Sequence, residues 1–413
     1  MRSPATDDSA PPVIYRQALW RLLFFIRTLD NPNVITALCP VPPATPHQPA
    51  RQAQVKKTDM VKFTPRALPV LIGSLPLQDH AAATGLIVAH TPEIPLWPQL
   101  PVYRDEGMLR QFLPGLPGVA EMEGKLVINT DKEGFEAEIL AFYEEYLAVT
   151  DGGVDLADSR FTLSKKEAKG FFTFLEMATR KKDDLIALKG QITGPITFCT
   201  GLVDQGGRAI FYNDQLRDAA VKLLALKARW QTRRMRAITG TVLLFFDEPA
   251  LAGLGSSAYI TITADAIIAC LTEVFDAVRA EGGLVGVHVC ANTEWPVVFD
   301  AGIDILSYDA YSFFDRLILY PEHLRDFLQR GGILATGIVP TDAERIDAES
   351  VASLVTRWDQ QTAQLEQLGF SREQIIAQTL ITPSCGTGSI SPDHARKVLE
   401  MTRDVSAVIR GRQ

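Results

Sequence analysis

Short apolar runs recur along the chain, and each is followed by a polar loop and a stretch with helical periodicity. Eight runs are present, at residues 68–74, 93–100, 185–192, 242–249, 284–290, 304–310, 332–340 and 378–386. Near-continuous apolar runs are typical of strands buried on both faces of a parallel sheet. Residues 266–283 lie between two runs and show a helical period that ends in glycine. Eight alternating units in roughly 350 residues predict an α/β fold, a TIM (β/α)8 barrel.

Two regions depart from this pattern. Residues 101–184 are longer than one crossover between strands, so they predict an insertion, with an extra strand at 124–130. Residues 1–60 combine a short apolar piece with a proline-rich polar stretch, which buries too little surface to offset its ordering entropy. We therefore expect 1–60 to be a poorly structured leader and 61–413 to be one barrel domain. An alternative is that translation starts at Met60.

Composition narrows the class of protein. The net charge of −8 gives no general attraction to nucleic acid or to an anionic membrane, and the basic stretch 222–237 is interpreted as the solvated face of a helix. No uncharged apolar run is long enough to span a bilayer. Five cysteines are too few and odd in number for a disulfide framework. These features predict a cytoplasmic protein without nucleic-acid or membrane partners.

The candidate chemistry lies at the ends of the apolar runs. In a barrel of this type the active site is built at the C-terminal ends of the strands. Those positions carry polar residues: Ser74, Gln191, Asp247, Glu248, His288, Cys290, Asp309, Thr341, Asp342 and Cys385.

Three of these residues form a potential metal site. His288, Cys290 and Cys385 offer the nitrogen and sulfur ligands that Zn²⁺ favours, and residues two apart on a strand point to the same side. Taken alone, His288 and Cys290 could equally be packed structural residues, but Cys385 in a glycine-rich loop favours the metal. Asp309, or else Glu294, could complete the ligand set. Cys199 and Cys270 lie in apolar surroundings and are assigned to packing.

Several short motifs occur in order along the chain: IGSLP at 72–76, GPITF at 194–198, DEPAL at 247–251, HVC at 288–290, DILSYD at 304–309 and PSCG at 383–386. From about residue 65 onward the chain resembles the catalytic barrel of cobalamin-independent methionine synthase, in the superfamily shared with uroporphyrinogen decarboxylase. The His-x-Cys plus Cys set is similar to the methyltransferase branch of that superfamily.

The resemblance implies a zinc-dependent methyltransferase that acts on homocysteine. It assigns Zn²⁺ to His288, Cys290 and Cys385, and the family's zinc-binding glutamate falls on Asp309. It assigns homocysteine to Ile72, Gly73 and Ser74, and to Asp247, whose carboxylate would pair with the substrate ammonium. A metal-coordinated thiol is deprotonated, which would keep the substrate sulfur ready to attack a methyl group.

Two departures from the family concern the methyl donor. The full-length family has an N-terminal barrel that helps to hold folate, and residues 1–60 are too short to form one. The family also has a histidine general acid after the seventh strand, whereas residues 337–346 contain no histidine and offer only Asp342 as a substitute. A folate leaving group needs a proton, but a cobalt(I) corrinoid does not. The chain thus resembles the short "core" form, which implies a methylcorrinoid protein as donor.

Other functions remain open at this point. Relatives that methylate coenzyme M share the His-x-Cys and Cys pattern, although Asp247 favours an acceptor with an amino group. A decarboxylase similar to uroporphyrinogen decarboxylase would need no metal. A non-catalytic corrinoid- or metal-binding module would bind zinc without transferring a methyl group.

Overall fold

A computed structural model describes residues 63–254 and 261–412. Its strands are β1 (Leu68–Pro69), β2 (Val119–Met122), β3 (Lys125–Ile128), β4 (Leu188–Thr193), β5 (Val242–Asp247), β6 (Leu284–Val289), β7 (Ile305–Tyr308), β8 (Ile333–Val339) and β9 (Thr379–Pro383). Its helices are α1 (His80–His90), α2 (Phe135–Thr150), α3 (Lys169–Arg180), α4 (Pro195–Gly201), α5 (Asp214–Arg236), α6 (Ala264–Arg279), α7 (Trp295–Asp300), α8 (Ala310–Leu317), α9 (Pro321–Gln329), α10 (Ala343–Ala348), α11 (Val351–Glu366), α12 (Arg372–Ala377) and α13 (Pro392–Arg410).

Seven of the strands form one parallel sheet in the order β1-β9-β8-β7-β6-β5-β4. The sheet curls through 214°, so the fold is α/β and barrel-like. Side chains alternate between its two faces. Leu243 and Phe245 pack on the inner face with residues of β1, β7, β8 and β9, whereas Leu244 and Phe246 pack outward in the large cluster that includes the helices. The continuous apolar runs are therefore explained by burial on both faces.

The second predicted run, residues 93–100, is not a regular strand. It makes isolated parallel bridges instead, Leu96 with Lys189 of β4 and Gln99 with Ser74 beyond β1. The run contains Pro95 and Pro98, which have no N–H to donate to a ladder of hydrogen bonds. The eighth strand of the predicted ring is thus replaced by an extended segment that contacts both edges of the sheet.

The predicted insertion is present between this segment and β4. It contains the antiparallel hairpin β2–β3 and the helices α2 and α3. The extra strand predicted at 124–130 is confirmed as β3, and the helix predicted at 266–283 is confirmed as α6. The basic stretch 222–237 falls largely in α5. Its interpretation as a solvated face is wrong for most of the stretch, because Lys227 is buried and only Arg233 and Arg234 among its charged residues are exposed.

The leader predicted at residues 1–60 lies outside the described residues. Among the described helices, none combines the length and the apolar character needed to cross a membrane.

Candidate metal centre

His288, Cys290 and Cys385 come together at the C-terminal ends of the strands. His288 is on β6, Cys290 follows that strand, and Cys385 lies two residues beyond β9. One ligand atom from each residue lies within 4.8 Å of the others. His288 is buried, whereas both cysteines are partly exposed. The cluster predicted from the sequence therefore exists as a compact nitrogen-and-sulfur site that is open on its thiol side.

The His288 ring is held in a defined orientation. Its Nδ1 lies 2.9 Å from the hydroxyl oxygen of Ser307, the residue paired with His288 across β6 and β7. Its Nε2 is enclosed and has no hydrogen-bond partner within the described part of the chain. A buried ring nitrogen without a partner is costly, and coordination of a cation by the neutral imidazole would remove that cost.

The thiols of Cys290 and Cys385 shift each other's pKa in opposite directions. A hydrogen bond from Cys385 lowers the pKa of Cys290 well below its usual range, and the nearby His288 acts in the same direction. The same bond to Cys290, with burial, raises the pKa of Cys385. The two sulfurs are therefore close enough to share a proton, and a cation bound between them would take the place of that proton.

Asp309 and Glu294 lie outside the cluster that the described residues form. The Asp309 side chain accepts a hydrogen bond from the Ser312 backbone N–H, at 2.9 Å, and caps α8. Glu294 is exposed and pairs with the Tyr320 hydroxyl. Asp309 thus caps α8 through one carboxylate oxygen, and its assignment as the fourth ligand stays a prediction.

Asp342 is also a helix cap. Its carboxylate accepts a hydrogen bond from the Arg345 N–H at the start of α10 and pairs with the Arg345 guanidinium at 3.4 Å. The side chain is 53% exposed. Its position on the rim agrees with the prediction, but its contacts are those of a solvated structural residue.

The residues assigned to substrate surround the metal cluster. Asp247 ends β5 and is paired with His288 in the sheet. Its Oδ1 is enclosed, and no partner for it occurs among residues 63–254 and 261–412. Burial raises the pKa of the Asp247 carboxyl, and His288 and Lys189 oppose that effect. A cationic ligand beside Asp247 would favour its ionised form.

Ser74 connects two loops of the site. Its hydroxyl accepts a hydrogen bond from Gly388 N, and its backbone carbonyl accepts two from Thr387. A side chain at Gly386 would collide with the Ser74 hydroxyl. The IGS loop of Ile72, Gly73 and Ser74 is therefore packed directly against the loop that carries Cys385.

A buried lysine lies on the inner face of the sheet below the site. Lys189 donates a 2.5 Å hydrogen bond to the Ile72 carbonyl, and its ammonium lies 4.6 Å from the centre of the Phe245 ring. Burial lowers the pKa of Lys189 to about 8, and the nearby charge of Asp247 opposes the shift. The lysine thus fixes the IGS backbone and contributes positive charge beneath Asp247.

Glu248 explains why the GPITF and DEPAL motifs occur together. Its buried carboxylate accepts hydrogen bonds from the backbone N–H groups of Ile196 and Thr197 and from the Thr197 hydroxyl, at 2.6–2.9 Å. A Cβ at Gly194 would lie 2.2 Å from that carboxylate. The glutamate therefore caps α4 and joins the ends of β4 and β5.

Sequence reasoning did not find Ser307 or Lys189. Ser307 lies two residues before Asp309 in DILSYD, so strand alternation places both on one face, which is the signal that could have indicated it. Lys189 is the one charged residue in the run LIALKGQI. An isolated charge in a run that otherwise predicts a buried strand was the available sign of a functional position.

No protein-family model matches the chain, and no curated protein is significantly similar to it.

Proposed function

We propose that this protein is a zinc-dependent thiol methyltransferase that forms methionine from homocysteine, with the methyl group supplied by a methylcorrinoid protein. The observation that carries the proposal is the convergence of His288, Cys290 and Cys385 at the C-terminal ends of the strands. The order of the IGSLP, GPITF, DEPAL, HVC, DILSYD and PSCG motifs supports membership of the methionine synthase-like superfamily. A closed (β/α)8 barrel belongs to the same proposal.

The donor set fits zinc. Two thiols and an imidazole within 4.8 Å of one another are the borderline-soft ligands that Zn²⁺ prefers, and a site with three protein ligands leaves one position for substrate. Bound zinc would stabilise the substrate sulfur as a thiolate at neutral pH. Ser307 would hold the His288 ring so that Nε2 faces the metal.

The chain's own residues would bind and orient the acceptor. Asp247 offers an enclosed carboxylate oxygen to the substrate ammonium, and Lys189 fixes the IGS backbone through the Ile72 carbonyl. The sulfur would attack the methyl carbon of the donor, forming the new carbon–sulfur bond. The electron pair of the carbon–cobalt bond would remain on cobalt, giving a cobalt(I) corrinoid. The thiol proton is released when the substrate sulfur becomes a thiolate, so the methyl-transfer step itself needs no proton.

The corrinoid donor is favoured over methyltetrahydrofolate by the surroundings of Asp342, the residue in the place of the family's general acid. A folate nitrogen leaves well only when it is protonated, which requires a general acid near the reacting atoms. Asp342, the candidate acid, is exposed and paired with Arg345. A donor that leaves without a proton is compatible with that arrangement.

The test is a methyl-transfer assay with zinc-loaded protein. Methylcobalamin and homocysteine should give methionine and cob(I)alamin, whereas methyltetrahydrofolate should give little product. Activity with coenzyme M and none with homocysteine would refute the proposed acceptor. Zinc binding without methyl transfer to any thiol would leave a metal- or corrinoid-binding module, and decarboxylation of a tetrapyrrole without metal would refute the methyltransferase itself.

A further inference from the structure

The buried amide of Gln191 is a polar group that the site described so far does not use. Gln191 is on β4, two residues after Lys189, so both side chains lie on the inner face of the sheet. The residue is fully buried. Its Nε2 donates a 2.8 Å hydrogen bond to the Trp97 carbonyl, while its Oε1 has no partner within the described chain.

The orientation of this amide follows from its single hydrogen bond. The Trp97 carbonyl can only accept, so the NH2 group of Gln191 must face it. The Oε1 atom is then directed away from Trp97. The nearby Lys189 ammonium donates to the Ile72 carbonyl and lies over the Phe245 ring, and neither of these contacts involves Gln191. The Oε1 atom of Gln191 is therefore a buried hydrogen-bond acceptor, and none of the described residues donates to it.

A second unpartnered acceptor lies on the neighbouring strand. The register pairs Gln191 with Phe245 and Thr193 with Asp247, so Asp247 follows one pleat along the same inner face. The Oδ1 of Asp247 has no partner in residues 63–254 or 261–412. The Gln191 side chain also lies against Gly73, next to the Ser74 that contacts the Cys385 loop. Both acceptors therefore belong to the surroundings of the metal cluster.

We propose that Gln191 Oε1 and Asp247 Oδ1 together accept hydrogen bonds from the primary ammonium of the thiol substrate, which makes Gln191 a specificity-determining residue. This inference rests on the proposed function. An ammonium has three donors and no acceptor, so it matches two acceptor oxygens, and its charge matches the carboxylate. A thiol without the amine leaves both oxygens unpaired, which is the situation in which a buried polar site rejects a ligand.

Gln361 provides a matched comparison within the same chain. It donates from Nε2 to the Ala310 carbonyl at 2.7 Å, and no partner for its Oε1 occurs among the described residues. It lies on α11, a helix outside the sheet. An unpartnered glutamine oxygen alone is therefore not a binding site, and the distinguishing feature of Gln191 is its place beside Asp247 and Gly73.

The test compares two thiols and two variants. Zinc-loaded wild type, Gln191→Met and Gln361→Met are titrated calorimetrically with homocysteine and with 4-mercaptobutanoate, which lacks the amine. Gln191→Met should weaken homocysteine binding about tenfold or more, the effect of losing a hydrogen bond to a charged group. It should leave 4-mercaptobutanoate within about twofold, and Gln361→Met should change neither.

The other possible results distinguish a failure of this inference from a failure of the proposed function. Equal losses for both thiols, or unchanged homocysteine binding because water pairs with Gln191, would overturn the inference while the proposed function stands. Wild-type protein that holds zinc but binds neither thiol would refute the proposed function itself. If Gln191→Met does not fold, Gln191→Glu is used at a pH where its carboxyl is protonated, so that its O–H donates to the Trp97 carbonyl and its C=O stays an acceptor. This variant should retain the preference for homocysteine; loss of that preference would overturn the inference.

Discussion

At the scale of single residues, the proposed metal site depends on the groups that hold its candidate ligands as much as on those ligands. The Ser307 hydroxyl fixes the ring of His288 at 2.9 Å. Second partners of this kind set the tautomer and the direction of the coordinating nitrogen. The ligands themselves were predictable because His-x-Cys and PSCG end apolar runs. Ser307 was not, because serine in a strand has many other roles.

Replacement of Ser307 by alanine should weaken the binding of zinc without unfolding the protein. Loss of the hydroxyl frees the His288 ring to rotate, and the expected decrease in zinc affinity is about 10- to 100-fold, measured by competition with a chromogenic chelator. Ser406→Ala is the matched control. Ser406 is also buried, but its hydroxyl donates to the Ala67 carbonyl on another part of the fold, so zinc affinity should not change. Equal affinity of Ser307→Ala and wild type would contradict the positioning role.

Asp342→Asn tests whether the reaction needs an acid. Asparagine caps helices as well as aspartate does, so α10 and the stability of the protein should be preserved. Transfer from methylcobalamin to homocysteine should stay within about threefold of wild type, since a corrinoid leaves without a proton. A fall of about a hundredfold in the turnover rate, the size of a general-acid effect, would show that Asp342 donates a proton after all.

At the scale of elements, the rim is built by contacts between loops that follow different strands. Glu248 after β5 caps α4 after β4, and Ser74 beyond β1 supports the loop after β9. The sequence predicted the runs and the motifs, but not the helix-capping bond of Asp309. A carboxylate after a strand can bind a metal or cap the next helix with the same sequence pattern, and the distance to Ser312 shows the capping bond.

Glu248 should give the protein a pH-dependent stability. Burial raises the pKa of Glu248 from 4.5 to about 7. A carboxyl whose folded-state pKa is raised contributes stability that is present at low pH and is lost as pH rises through the folded pKa. The free energy of unfolding of wild type minus that of Glu248→Gln should therefore fall between about pH 4.5 and 7, by up to about 3 kcal/mol, and level off above that range.

Urea unfolding of both proteins over this pH range measures the difference, and the titration of the other ionisable groups cancels because both proteins contain them. A difference that stays constant, or that rises with pH, would contradict the raised pKa of Glu248.

At the scale of the whole molecule, the feature to be explained is the seam between β1 and β4, the two edge strands of the curled sheet. The α/β pattern, the insertion and the seven strands could be predicted because strands that are buried on both faces form near-continuous apolar runs in the sequence. The second run could not be distinguished from a strand by its hydrophobicity. Its prolines remove the donors that regular pairing needs, so it forms only isolated bridges to Ser74 and Lys189.

Hydrogen exchange tests the closure of the barrel. Lys189 N donates to Pro95 O at 3.0 Å, and Gln99 N donates to Gly73 O at 3.1 Å. If the segment 93–100 seals the ring, these two amides should be protected to about the same degree as those of the central strands. Exchange of both amides as fast as that of exposed loops, with β5 and β6 still protected, would show that the sheet is open at this seam.

The central claim is that His288, Cys290 and Cys385 form a zinc site, and elemental analysis of the purified protein tests it most directly. Wild type should contain about one zinc per chain. Cys385→Ser should lose it, whereas Cys270→Ala, which removes a buried cysteine from α6, should retain it. Zinc that is absent from wild type, or that persists unchanged in Cys385→Ser, would contradict the account.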